Sequence, residues 1–159
     1  MSAITSTPLA GTAHSEQQVR QQAVVQFQNA FAGTVWHRIL NWLAGRQQCL
    51  LNLGVTQRKR GAGSEYDGGV RVVPVAQIVG SQNRACDFRP DFRPRQAHTR
   101  SRWIGIAMAV LIGSSLPPVE LIQVGDSYFV SDGHHRISVA RANGQDHIDA
   151  HITVLEVQK

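Results

Sequence analysis

The stretch Ser131–Asn143, SDGHHRISVARAN, closed by Gly144, constrains the chain more than any other. An apolar, aromatic run (Tyr128, Phe129, Val130) meets an Asp132-Gly133 turn. Behind the turn, Ile137, Val139, Ala140 and Ala142 have the spacing of a packed helix, so the segment reads as strand, tight turn, helix. The turn delivers His134, His135 and Arg136 to a helix N-terminus, where the first backbone N–H groups lack partners and a partial positive charge gathers. Such an end attracts phosphate or another anion.

A chain of 159 residues with 42% hydrophobic content can bury a proper core in one domain with some appendage. Cys49 and Cys86 stand far apart with no CxxC partner, so neither a zinc ribbon nor a disulfide framework is expected, and a reducing, cytoplasmic setting is the default. The N-terminus lacks the basic start and apolar stretch of a secretory signal, and nowhere do 18 apolar residues follow one another, so neither export nor membrane spanning is expected. The net charge of +5 comes almost wholly from arginine, 14 against 2 lysines. Guanidinium forks grip phosphates at two points, which makes nucleic acid or a nucleotide a natural partner; a GC-rich genome would produce the same bias without any function.

Residues 1–14 are small and polar and are expected to form a disordered tail. From Ser15, a candidate cap, Val19, Ala23, Val24, Phe27, Ala30 and Phe31 fall on one helical stripe. After Gly33 a second helical segment carries Val35, Trp36, Ile39, Leu40 and Leu43, and the apolar run continues through Cys49, Leu50, Leu51 and Leu53. Residues 15–53 thus read as a helical hairpin, which either packs on the later domain or joins a second copy in a homodimer. Gly54–Gly69, with Arg58, Lys59, Arg60 and a cluster of glycines, reads as a flexible, exposed linker. Its basic triplet is either simply solvated or touches a nucleic acid backbone.

From Val70 the chain is β-like, with Pro74 placing that piece at a sheet edge or a strand end. Next come Arg84, Arg89, Arg93, Arg95, Arg100 and Arg102, interleaved with Phe88, Phe92 and Trp103 and opposed only by Asp87 and Asp91. The near-repeat DFRP, Asp87–Pro90 and Asp91–Pro94, forbids a regular helix, so a shaped loop is expected. The aromatics there either belong to the core or stack on bases. Arg102–Leu111 reads as a buried helix stopped by Gly113, Gly125-Asp126 as a two-residue hairpin turn, and His147–Val157 as a closing strand. Strand, helix, hairpin, helix and strand make an α+β core over residues 70–159. On that closing strand His147 and His151 would lie ~13 Å apart on one face, too far to share a metal.

The segment LPPVELIQVGDSYFVSDGHHRISVARANGQDHIDAHITVLE, with the upstream VVPVAQIVGS and RWIGIAMAVLIG, resembles the core of the ParB/sulfiredoxin superfamily over about Val72 to Glu156. The resemblance implies an α+β fold with a mixed sheet and packed helices, and a glycine-led box that binds nucleotide phosphates at a helix N-terminus. Gly133 matches the box's glycine and Arg136 its final arginine. The middle departs from both named relatives. Where sulfiredoxins resemble Gly-Cys-His-Arg, His134 stands in place of the reactive cysteine, so sulfinic acid reduction is not expected, while His135 matches their histidine. His134 and His135 also replace the glutamate and first arginine of partition-type ParB proteins, which puts triphosphate hydrolysis in doubt.

Asp132 beside two histidines leaves three readings open. A phosphate site would be built from Asp132, Gly133, His134, His135 and Arg136, with a neutral imidazole of His134 or His135 as catalytic acid or base near pH 7. A divalent metal held by Asp132, His134 or His135 would suit a nuclease, although adjacent histidines rarely face one site and no metal is assigned. In the third reading Asp132 caps the helix and one histidine packs inside. The cofactor is not identified by the sequence, a nucleoside triphosphate with magnesium being one choice. Phosphoryl transfer or phosphodiester hydrolysis at DGHHR, with the arginines from Arg84 to Arg102 as a second wall, stands against a non-catalytic DNA-binding module using those same arginines and, third, a metal-dependent nuclease.

Overall fold

The computed structural model describes residues 10–32, 49–60 and 63–157, with the backbone alone at 10–14, 58–60 and 157. In chain order the elements are α1 (Ala10–Ala32), β1 (Leu51–Asn52), α2 (Leu53–Arg60), β2 (Gly63–Pro74), β3 (Ile78–Ser81), α3 (Arg100–Leu111), β4 (Val119–Val124), β5 (Ser127–Asp132), α4 (His134–Ala142) and β6 (His147–Val157). Together they form a mixed α+β structure, with a six-stranded sheet ordered β1-β3-β5-β4-β6-β2. The hairpin β4-β5 and the pair β2-β6 are antiparallel; β1-β3, β3-β5 and β4-β6 are parallel.

Side-chain alternation along the strands gives the sheet two unlike faces. Val119 and Leu121 of β4, Val130 of β5 and Ala150 and Ile152 of β6 form one buried cluster with Ile137 of α4 and with Phe88 and Phe92 from the arginine-rich loop. The residues of opposite phase, Ile122, Val124, Phe129 and Leu155, pack with Leu53 at the start of α2. A third cluster joins the helices: Ala23, Phe27 and Ala30 of α1 meet Trp103, Ile104 and Ala107 of α3 and Val139 of α4. The loop that two prolines barred from helix is therefore a lid on the first face. Phe88 and Phe92 are fully buried, as is Trp103. Base stacking by these aromatics, one of the two alternatives, is overturned.

Several expectations need correction. Helix α1 begins at Ala10, upstream of Ser15, so Ser15 lies inside it and residues 10–14 are not part of a tail. The second helical segment, and with it the hairpin, falls on residues 33–48, outside the described residues. Leu51 and Asn52 do not extend a helix: they pair in parallel with Gly80 and Ser81 at the sheet edge. A short apolar run suits either state, and the pairing strand decides. The linker Gly54–Gly69 is instead α2 followed by the first half of β2, which pairs with β6 from Gly63 onward. Gly68 falls in a bulge between Asp67 and Gly69.

Cys49 and Cys86 form a disulfide, with Cα atoms 4.6 Å apart, against the expectation of unpaired thiols. The neighbouring bond from Leu50 N to Ala85 O at 2.9 Å shows how the fold brings together residues 37 apart in sequence, a distance that spacing rules do not see. The expectation of a reducing setting rested on unpaired thiols and loses that support. Among the described residues no helix is long and apolar enough to cross a membrane.

Candidate anion-binding site

Strand β5 ends at Asp132, and Gly133 turns the chain into α4 with φ +96. That conformation, and a Cβ position only 2.6 Å from Val119 Cγ1, restrict the position to glycine. Among the described residues no side chain caps α4, so the N–H groups of its first turn keep their anion-attracting character.

His134 and His135 open the helix and are both buried, at 4% and 7% exposure. The His134 ring stacks on Phe88 at 5.8 Å between centroids, and His135 meets the same ring edge-on at 5.2 Å. His134 Nε2 is hydrogen-bonded to Ser81 Oγ at 2.7 Å, and the same hydroxyl accepts from Arg84 N at 2.9 Å. His135 Nδ1 is buried, with no hydrogen-bond partner among the described residues. Burial pushes His134 down to about 4; the Arg84 charge adds to this, while Asp132 works against it. His135 also falls to about 4, again by burial first, then by Arg102 and Arg84, with Asp87 opposing and His98 adding a little. Both imidazoles are neutral at pH 7 in a field made positive by arginines.

Arg136 has a different part from the one its position in the box suggests. Its Nη1 donates to Pro117 O at 2.5 Å and Pro118 O at 2.7 Å, and its Nη2 pairs with Asp132 Oδ2 at 2.8 Å. The Arg136 side chain is 13% exposed and its guanidinium braces the turn against the Pro117-Pro118 segment. Asp132, expected either to bind or to cap, does not cap; its 76% exposed carboxylate answers Arg136.

The arginines of the expected second wall are divided. Arg84 and Arg102 are exposed, and their charges reach the two histidines. Arg100 is exposed at the start of α3. Arg89 and Arg93 share Asp91, each through Nε at 3.5 Å, and Arg95 Nη1 lies 3.2 Å from Cys49 Sγ. Arg58, Lys59 and Arg60 end α2, with backbone alone described. His147 and His151 lie on β6, where His151 bridges Asp67 at 3.1 Å and Glu120 at 3.2 Å. Among the described residues no group of three His, Cys, Asp or Glu side chains is placed to hold a metal ion.

Two contributors escaped the sequence reading. Ser81 ends a strand 53 residues before His134 and carries no motif of its own. Arg141 sits 4.8 Å from the Phe92 centroid and donates from Nη2 to Val75 O and Ile78 O, each at 2.8 Å. A basic residue in the last turn of a predicted helix was the available signal, because such residues answer helix-end carbonyls; the carbonyls answered here belong to another segment. No protein-family model matches the chain, and no curated protein matches it in sequence.

Proposed function

We propose that this chain is a divergent ParB/sulfiredoxin-like domain that binds a phosphate-bearing ligand, a nucleotide being the first candidate, at the N-terminus of α4. The observation that carries this reading is the uncapped helix start on a left-handed glycine, with Arg84 and Arg102 close to two buried, neutral histidines. Backbone N–H groups and guanidinium forks are the usual partners of phosphate oxygens, and a buried imidazole nitrogen without a partner has a bond to give. Arg136 holds the turn in shape in this reading, while Arg84 and Arg102 supply the charge.

Phosphoryl transfer or phosphodiester hydrolysis would rest on positioning and charge stabilisation. With histidines at about 4, acid or base work near pH 7 requires the ligand's negative charge to raise them. The function proposed is therefore binding, and any reaction depends on it.

Calorimetric titration with CTP, ATP, ADP and GTP, with and without magnesium, tests the reading. At least one should bind, and the exposed pair Arg84→Ala with Arg102→Ala should weaken it by about tenfold or more. If none binds, or the double variant binds as the parent does, the reading fails. The exposed Arg84, Arg93, Arg100 and Arg102 favour one rival, a non-catalytic DNA-binding module. It would bind duplex DNA with steep salt dependence and be indifferent to all four nucleotides.

A further inference from the structure

The two cysteines of the chain bridge the segment entering β1 and the loop that covers the first face of the sheet. Their sulfurs stand in unlike surroundings. Cys86 is exposed, whereas Cys49 is half-buried and takes a contact from Arg95 Nη1 at 3.2 Å. The backbone N–H of Arg95 donates to Asp87 O at 3.0 Å, which anchors that residue beside the bridge. A guanidinium against a sulfur stabilises the negative charge the sulfur carries as a thiolate. A sulfur stabilised in this way is the better leaving group in thiol exchange, and an exposed sulfur is the one an outside thiolate can reach. Exposure and charge therefore select the same direction of cleavage.

The bridge is also placed to close again. Beside it Leu50 N donates to Ala85 O at 2.9 Å, and Leu50 is 2% exposed, so contacts other than the S–S bond hold the two segments together. The residues two places to either side of Cys86 both reach the first turn of α4. Arg84 N donates to Ser81 Oγ, which is hydrogen-bonded to His134 Nε2, and the Phe88 ring lies against both imidazoles.

We propose that Cys49–Cys86 is a reversible thiol-exchange site, reduced by a dithiol, whose state is transmitted to the first turn of α4. One thiolate of the dithiol attacks Cys86 Sγ. A new S–S bond forms there as the Cys49–Cys86 bond breaks, and the electron pair leaves on Cys49 as a thiolate facing Arg95. The second sulfur of the dithiol then attacks the first, which closes the reductant into a disulfide and releases Cys86. Two electrons and two protons have passed from the dithiol to the cysteines. A bridge buried at both sulfurs would staple the fold and admit no thiolate.

Glutathione, a monothiol, halts the exchange after its first step and so reports which sulfur is attacked. The oxidised full chain is treated briefly with millimolar glutathione, quenched in acid, capped with N-ethylmaleimide and mapped by mass spectrometry. Glutathione should be found on Cys86 and the maleimide on Cys49. Adducts shared evenly, adducts mainly on Cys49, or none unless urea is added would overturn the proposal. With excess dithiothreitol, Arg95→Gln should slow reduction about threefold or more, and Arg95→Lys, which keeps the charge, should restore most of the rate. An Arg95→Gln rate equal to the parent's would remove the leaving-group role. Amide NMR signals of residues 134–136 in the parent, recorded without any ligand, should differ between the oxidised and reduced forms and return on reoxidation. Identical signals in the two forms would refute transmission to the turn, whatever nucleotide titrations show.

Discussion

His134 and His135 have lost their water to the fold without gaining a carboxylate strong enough to compensate, which is why both lie near 4. The consequence is a pH dependence with a definite sign. The unfolded chain takes up protons on these residues near the ordinary histidine value of about 6.5, the native chain only near 4, so the unfolded state binds more protons between those limits. Stability is therefore full above about pH 6.5 and falls as the pH drops towards 4, by roughly 3 kcal/mol per histidine at the acid end. Urea midpoints between pH 7.5 and about 4.5 should show this decline. His135→Leu should flatten it, since His135 Nδ1 gives up no hydrogen bond on replacement. An unchanged slope in that variant would show that other groups govern the acid limb. Ser81 gives His134 a bond that leucine could not replace, so the two positions should not behave alike.

At the level of elements, the loop between β3 and α3 is where charge and core meet. It buries Phe88 and Phe92 under α4 and brings Arg84 near the box, and Cys86 ties it to the segment entering β1. Closing a loop of 37 residues stabilises by about 4 kcal/mol in the chain-entropy account. Reduction, or Cys49→Ser with Cys86→Ser, should lower the urea midpoint accordingly; equal midpoints with and without reductant would mean that the pair does not form or does not constrain the chain. The strand-turn-helix around Gly133 and the hairpin at Gly125-Asp126 were legible because glycine, Asp-Gly and apolar spacing are local signals. The disulfide, the Ser81 bond and the strand character of Gly63–Gly69 were not: each depends on a partner tens of residues away, and in the last case β6 outweighs the low strand propensity of glycine. Arg136 was legible as belonging to the turn, but its carbonyl partners on Pro117 and Pro118 come from another segment and changed what it does there.

Across the whole molecule, α1 is tied to the candidate site through a chain of contacts. The stripe read from the sequence does face inward: Ala23, Phe27 and Ala30 are buried, and Phe27 stacks on Phe31 at 5.6 Å while meeting Trp103 edge-on at 5.5 Å. Trp103 Nε1 in turn donates to Ser138 Oγ on α4 at 2.9 Å, so the first helix, α3 and the helix bearing the histidines share one packed unit. The apolar stripe of α1 is thereby covered by its own chain. Phe27→Ala opens a cavity beside Trp103 and should cost about 3–5 kcal/mol. Because the same cluster contains Val139 of α4, α1 should not melt by itself. Helix content followed by circular dichroism and the amide signals of residues 134–142 should be lost together, at one lowered urea midpoint. Two separate transitions, with those signals surviving the loss of α1, would instead make α1 an appendage and the domain a smaller body that holds its turn without help.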